Sequence, residues 1–313
     1  MSSFHGAGKR RSYFEGWYLK QQNETETVAL IPAYHVDGNG APSASLQVVG
    51  GGSACWLPFP AEQFRADRGR FLVRLGDCVF SHRGCRLSVR SKDCALEGVL
   101  SFGPFTPPPG DVMGPLRFAP VLQCRHSVFS LYHRVNGALM LNGREIRFRN
   151  GSGYLEGDRG TSFPARYVWT QCSRGGDSVM LSAADVPFAG RSFVGCIGVL
   201  LVDGKVHRVA TYLGAKVLEA GGGGILVRQG NLMLRVSLLE SRPLSLRAPE
   251  SGGMTRVVRE SAVCRVRYQC TVGEKVWFDF TDDLASFESS RAGGAETAGA
   301  EKQAPPLDTR ADL

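Results

Sequence analysis

The run Arg144-Glu145-Ile146-Arg147-Phe148-Arg149, set behind the dipeptide Asn142-Gly143, puts apolar residues at alternate positions in a charged stretch. Successive side chains of an extended chain point to opposite faces, so this pattern predicts a strand with one wet and one buried face. Asn-Gly supplies the positive φ angles that a two-residue hairpin turn needs. The same reading extends outward. Arg70-Phe71-Leu72-Val73-Arg74-Leu75 and Val263-Cys264-Arg265-Val266-Arg267-Tyr268 alternate in the same way, and Asn136-Gly137, Asp203-Gly204 and Val272-Gly273 fall between such runs. No segment carries an amphipathic helix beyond a few turns, and 39 glycines favour turns and bulges. The expected class is all-β.

A chain of 313 residues is long enough for one large β domain or two smaller ones, each with a real core. A weak internal repeat favours two. Phe71-Leu72-Val73-Arg74-Leu75-Gly76-Asp77 recurs as Ile225-Leu226-Val227-Arg228-Gln229-Gly230-Asn231, and Trp17 recurs as Trp169, 152 positions on. The expected organisation is two tandem barrel or sandwich units, at 13–150 and 151–288, each able to hold a small ligand. A flexible basic arm over 1–12 precedes them. The Pro-rich stretch 104–120 reads as a connector or rim loop, because proline cannot serve a central strand. Residues 289–313, rich in Ala, Gly and Glu, read as a disordered tail.

The formal charge of +8 is scattered, and no zinc-finger, helix-turn-helix or RNA-binding aromatic signature accompanies it. Nucleic acid is therefore not an expected partner. The nine cysteines are odd in number and include no C-x-x-C pair, which argues against a zinc site or a disulfide framework. Reduced thiols and the lack of a signal sequence point to the cytoplasm. The longest apolar run, Val194 to Val202, is too short to span a bilayer, so any meeting with a membrane is expected to be peripheral. No metal loop or nucleotide-binding glycine motif is present, and neither a metal nor a cofactor is expected.

Chemistry concentrates in Gly153-Tyr154-Leu155-Glu156-Gly157-Asp158-Arg159-Gly160, read as a glycine-punctuated turn, and in Trp169 just beyond it. Carboxyl groups held among aromatic faces suit acid catalysis on an apolar substrate: the acid gives a proton and the rings steady the cation. Asp158 is the first candidate donor and Glu156 the second. Trp17, Tyr154 and Trp169 are candidate pocket walls, and Arg159, His126 and Tyr212 are candidate polar contacts to the substrate. Plainer readings stand beside each of these. An acid could pair with Arg159 or cap a turn, Trp17 could be core, and Tyr212 could pack in a strand. His126 with Ser130 hints at a hydrolase, but no G-x-S-x-G elbow exists and no acid is in evidence to orient the histidine.

Taken together, F-E-G-W-Y-L-K at 14–20, C-R-H-S-V-F-S at 124–130, G-Y-L-E-G-D-R-G-T-S-F-P at 153–164, W-T-Q-C at 169–172, S-A-A-D-V-P-F at 182–188, A-T-Y-L-G at 210–214 and D-F-T-D-D-L-A-S-F-E at 279–288 resemble the tocopherol cyclase family, in its shorter bacterial-type branch. The resemblance implies two lipocalin-like units akin to carotenoid hydratases. It also implies an intramolecular lyase that closes a prenylated quinol to a chromanol without a cofactor. Two other functions fit the same residues: a non-catalytic carrier of a hydrophobic ligand, and a hydratase adding water to an isoprenoid alkene.

Overall fold

The computed structural model describes residues 4–120, 122–188 and 191–290. The first unit comprises β1 (Tyr13–Gln22), β2 (Thr27–Val36), β3 (Pro42–Gly50), β4 (Ser53–Pro60), β5 (Phe64–Ala66), β6 (Leu72–Leu75), β7 (Cys78–Ser81), β8 (Gly84–Arg90), β9 (Ala95–Phe102), β10 (Cys124–Leu141) and β11 (Arg144–Gly160). The second comprises β12 (Tyr167–Arg174), β13 (Asp177–Phe188), β14 (Arg191–Val202), β15 (Lys205–Ala210), β16 (Lys216–Gly221), β17 (Gly224–Gln229), β18 (Leu232–Ser241), β19 (Leu244–Glu250), β20 (Gly253–Val272) and β21 (Lys275–Ser290). The described chain is all-β apart from three short 3-10 turns.

Both units follow one plan. The first sheet runs β4-β3-β2-β1-β11-β10-β9-β8-β7-β6-β5, a nearly closed barrel whose opening and closing strands lie side by side. The second runs β15-β14-β13-β12-β21-β20-β18-β17-β16, with β19 paired to β20. In each, the two edge strands are consecutive in sequence but joined by a 3-10 turn, Ala61–Gln63 in one and Thr211–Leu213 in the other. The change of sheet falls between Gly160 and Tyr167, because β11 continues unbroken across position 150 to pair with β1. Residues 289 and 290 complete β21 opposite Val168 and Tyr167; the rest of the expected tail, from 291, lies outside the described residues. The expected loose arm also changes character from residue 4 on. The Phe4 ring packs on Trp17, Tyr34 and Phe64, and the His5 backbone amide donates to Glu15 at 2.7 Å. The Pro-rich stretch 104–120 holds no strand, as expected.

Three apolar layers result. Trp17, Leu19, Phe71 and Phe148 lie inside the first barrel, and Val168, Cys172, Val227 and Tyr268 lie inside the second. A third layer, including Tyr18, Val128, Tyr154, Trp169 and Val258, lies between the two. The opening strands β1 and β12 are therefore buried on both faces, and polar groups there must find partners. Lys20 Nζ donates to the Leu284 carbonyl at 3.0 Å, and Gln47 clamps the Arg247 backbone through Nε2 to O at 3.0 Å and N to Oε1 at 2.8 Å. Burial holds the Lys20 pKa below its ordinary value, with the Asp282 charge working against that shift.

The turn between β19 and β20 seals this contact. Gly252 has φ +82°, donates to the Thr161 carbonyl at 2.7 Å, and lies so close to the first unit that an added Cβ would stand 2.1 Å from Val36 O and 2.3 Å from Tyr13 N. Gly252→Ala is expected to cost about 2–4 kcal/mol, combining the left-handed backbone penalty with overpacking against immovable main chain. A shift of the urea midpoint at unchanged slope checks it.

Candidate functional site

The G-Y-L-E-G-D-R-G stretch is not a turn but the continuous second half of β11. Its glycines serve the opposite purpose from the one expected. Side chains at 153 and 157 would face the interior of the first barrel, where a Cβ at Gly153 would stand 2.2 Å from His133 Nε2 and one at Gly157 2.9 Å from Phe129. Period two then places Tyr154, Glu156 and Asp158 together on the other face, toward the layer between the units. The pairing β1–β11 sets Gly16 opposite Asp158 and Tyr18 opposite Glu156; β10 sets His126 opposite Asp158.

That face walls a cavity of about 390 Å³ between the two units, with Phe14, Tyr18, Ile31 and Met113 on one side and Tyr167, Trp169, Leu246 and Val258 on the other. Glu156, Asp158 and His126 all line it. Glu156 is 5% exposed. It accepts hydrogen bonds from Tyr154 Oη at 2.5 Å and Trp169 Nε1 at 3.2 Å. His126 Nδ1 lies 3.0 Å from Asp158 Oδ1, and its Nε2 lies 3.3 Å from Glu156 Oε2, within ion-pair range but without an aligned hydrogen bond. Cys124 Sγ adds a 3.5 Å contact to Asp158. Burial alone pulls the His126 imidazole down, yet the two carboxylates outweigh it and hold its pKa well above the usual histidine value. The acid that orients His126, unseen in the sequence, is Asp158.

The three groups bring ligand-type atoms within 4.8 Å of one another. Their close approaches use opposite nitrogens of one ring, so the trio is arranged around an imidazole rather than around a common point. The donor set fits proton handling better than it fits a metal ion.

Two further acids line the cavity that sequence reasoning missed. Glu260 of β20 and Glu288 of β21 stand directly opposite each other across the ladder, and Trp169 is the other neighbour of Glu288. Tyr18 Oη donates to Glu260 Oε1 at 2.7 Å, and Tyr167 Oη donates to Glu288 Oε1. Burial pushes Glu260 up to about 7, helped by the charge of Glu156, while Tyr18 and Lys20 act in the other direction. Burial, with the Glu260 charge behind it, pushes Glu288 well above the carboxylate range. A readable signal existed. Val258, Glu260 and Ala262 occupy alternate, buried positions of β20, and Val258 and Ala262 belong to the layer between the units, so Glu260 interrupts an apolar face.

Other candidates sit elsewhere. Trp17 is 1% exposed inside the first barrel, stacked on Phe64 at 6.4 Å, because it alternates with Tyr18. Arg159 alternates with Asp158 and turns from the cavity toward Ser127 Oγ at 3.4 Å. Tyr212 lies in the 3-10 turn after β15, where its hydroxyl donates to the Val112 carbonyl at 2.9 Å and so pins the Pro-rich stretch. Tyr154 stands behind Glu156, supporting it through the hydroxyl. Asp185, near the end of β13, pairs with Arg166 at 2.6 Å.

The raised Glu260 carboxyl makes folding pH-dependent. The folded state holds a proton that the unfolded state releases between about pH 4.5 and about 7, so stability falls as pH rises through that window. Glu260→Gln, which carries no charge, is expected to stabilise the protein above pH 7 by on the order of 1–3 kcal/mol and to flatten that slope. Thermal melts from pH 4.5 to 8 read this directly.

No family model matches the chain, and no curated protein matches it in sequence. Solved structures do match. An AttH-type protein from Nitrosomonas europaea aligns with a TM-score of 0.56 at 13% identity, covering 93% of this chain and 95% of that one. Kievitone hydratase from Nectria haematococca aligns with a TM-score of 0.50 at 10% identity, covering 89% of each. At these identities the likeness is one of fold: the tandem lipocalin-like architecture extends over nearly the whole length of both.

Proposed function

We propose that the protein is an acid catalyst that protonates a carbon–carbon double bond of an apolar, prenyl-bearing substrate and directs an oxygen nucleophile onto the resulting cation. The observation that carries this is the Glu260–Glu288 pair: two buried carboxyls held by tyrosine hydroxyls, facing a mostly apolar cavity, at least one of them neutral near pH 7. A general acid works best with its pKa near the working pH, and Glu260 meets that condition. A carrier would have no use for such a pair, since each buried acid weakens the fold at neutral pH.

In the tocopherol cyclase-like form of the reaction, Glu260 gives its proton to the less substituted alkene carbon and the positive charge forms on the tertiary carbon. The faces of Tyr18 and Trp169, 5.4 Å apart, and the carboxylates beside His126 favour that charge. The ring hydroxyl of a prenylated quinol closes on the cation, and its proton passes to the Asp158 carboxylate. Bond count and composition balance as an isomerisation to a chromanol. This assignment shifts the donor from Asp158 to Glu260, because Asp158 and Glu156 are engaged as the acceptors around His126. Hydration is the second reading, favoured by the fold shared with kievitone hydratase; water then takes the place of the ring hydroxyl.

Incubation with a prenylated hydroquinone in deuterated buffer distinguishes the two. Cyclisation yields a product of substrate composition in which one hydrogen has been replaced by a carbon-bound deuterium, and hydration adds a water. A ligand that binds and returns unchanged overturns both. No helix among the described residues is long and apolar enough to cross a membrane. A cytoplasmic protein that meets its lipid-soluble substrate at a surface fits the reading.

A further inference from the structure

The mouth of the cavity is framed by a strap that the proposed chemistry leaves unused. The Pro-rich stretch of the first unit is clamped onto the second. The Arg208 guanidinium donates to the Gly110 and Asp111 carbonyls at 2.9 and 2.8 Å, and the Tyr212 ring covers Gly114 so closely that a Cβ there would stand 2.5 Å from Tyr212 Cζ. The 3-10 turn Gly114–Phe118 turns Leu116 into the cavity, while Arg117 and Phe118 point outward, the arginine over the ring at 4.5 Å. Beside it, Thr211 accepts from the Cys196 amide at 2.8 Å, which places the turn Thr211–Leu213 next to the outer end of β14. Ser192 of that end lines the cavity.

Four large apolar side chains of this rim face solvent. Phe118 is 72% exposed, Leu213 49%, Val194 43% and Phe193 40%. Arg117 and Arg191 lie among them, exposed and without a carboxylate partner among the described residues. Large apolar side chains gathered at one place on a surface mark an interaction site. Aromatic residues mixed with arginines suit the headgroup boundary of an anionic bilayer, and the net charge of +8 favours the same partner.

We infer that this rim, carrying Phe118, Phe193, Val194 and Leu213 with Arg117 and Arg191, docks on anionic phospholipid membranes and lets a prenyl lipid pass from the bilayer into the cavity. The docking rests on surface chemistry; the passage of substrate rests on the function proposed above.

Flotation of the full chain with phosphatidylcholine vesicles, with and without about 30 mole per cent of the anionic lipid phosphatidylglycerol, tests it. The wild type is expected to float with the anionic vesicles. Phe118→Ser/Phe193→Ser is expected to lose at least about tenfold in partitioning. Arg117→Glu/Arg191→Glu is expected to lose the preference for phosphatidylglycerol. Val276→Ser, as exposed as the rim at 60% but twelve residues along β21 from Glu288, is the matched control and is expected to bind as wild type. A wild type that floats with neither vesicle, a double serine variant that binds unchanged, or a control that loses binding equally overturns the inference. Turnover of detergent-dispersed prenylated hydroquinone, measured on the same variants, is expected to be unchanged, and it reads the catalytic proposal separately from the docking.

Discussion

Glu260→Gln is expected to lower turnover by about two to four orders of magnitude while ligand binding stays nearly unchanged. The substitution keeps the volume of the side chain and an oxygen to accept the 2.7 Å hydrogen bond from Tyr18, so the cavity wall is preserved. What it removes is a proton that can leave. Because Glu260 and Glu288 oppose each other in the ladder, they titrate as a pair, and protonating one eases the charge on the other. Glu288→Gln therefore has a subtler expected signature. Burial and the Glu156 charge hold Glu260 up, so the variant keeps the donor and is expected to retain turnover, with the alkaline limb of the pH–rate profile near its wild-type position. Pre-steady-state turnover across pH 5 to 8 for both variants distinguishes donor from partner: loss at all pH marks the donor, a retained profile marks the neighbour. A Glu260→Gln enzyme with full turnover removes this residue from the chemistry.

Asp158→Asn is also expected to lose product, because it removes the carboxylate that takes the quinol proton. It strips His126 of one of the two charges that hold its pKa up, so the imidazole titrates lower. Following the ring by NMR through a pH titration separates this electrostatic loss from loss of a proton donor, which would leave His126 where it was.

The architecture was legible because period-two alternation and the turns at Asn142-Gly143 and Asp203-Gly204 are local properties, visible in six residues at a time; Asn136-Gly137, of the same type, is instead a bulge inside β10. The site was legible residue by residue, in Glu156, Asp158, His126 and Trp169, but not as an arrangement. Tyr154, Glu156 and Asp158 announce themselves as polar and aromatic residues at even spacing. Their partner His126, however, is set by a hairpin register 32 residues back, and Glu260 and Glu288 arrive from the far end of the chain. The glycines misled for a physical reason. Gly153 and Gly157 look like turn formers, yet they are strand positions emptied to admit the rings of His133 and Phe129. Glycine in a strand marks close approach as often as a bend. Strands buried on both faces also lack the alternation that identifies a face: all but one residue of β1, including Lys20, Gln21 and Gln22, is buried.

The tryptophans show what that ambiguity costs. Matching Trp17 to Trp169 at an offset of 152 treats them as equivalent, but strand parity sends Trp17 into the first barrel and Trp169 into the cavity layer. The contacts between the opening strands follow an offset of 151 instead, with Lys20 Nζ reaching the Gln171 carbonyl and Gln22 Nε2 the Ser173 carbonyl. A slip of one residue exchanges faces. The two residues should therefore fail in opposite ways. Trp17→Ala empties a site 1% exposed and ringed by Phe4, Phe64 and Phe71. It is expected to cost about 3–5 kcal/mol, lowering the melting temperature by roughly 10 °C, with little change in turnover per folded molecule. Trp169→Phe keeps most of the buried ring and gives up the 3.2 Å hydrogen bond from Nε1 to Glu156, a loss of about 1 kcal/mol in stability. Its effect belongs to catalysis, because Glu156 loses a donor and the cation loses its best ring face. Paired denaturation and turnover measurements on the two variants decide it. A Trp17→Ala protein that melts like wild type, or a Trp169→Phe protein with undiminished turnover, would show that the barrel interior and the cavity have been assigned to the wrong faces of their strands.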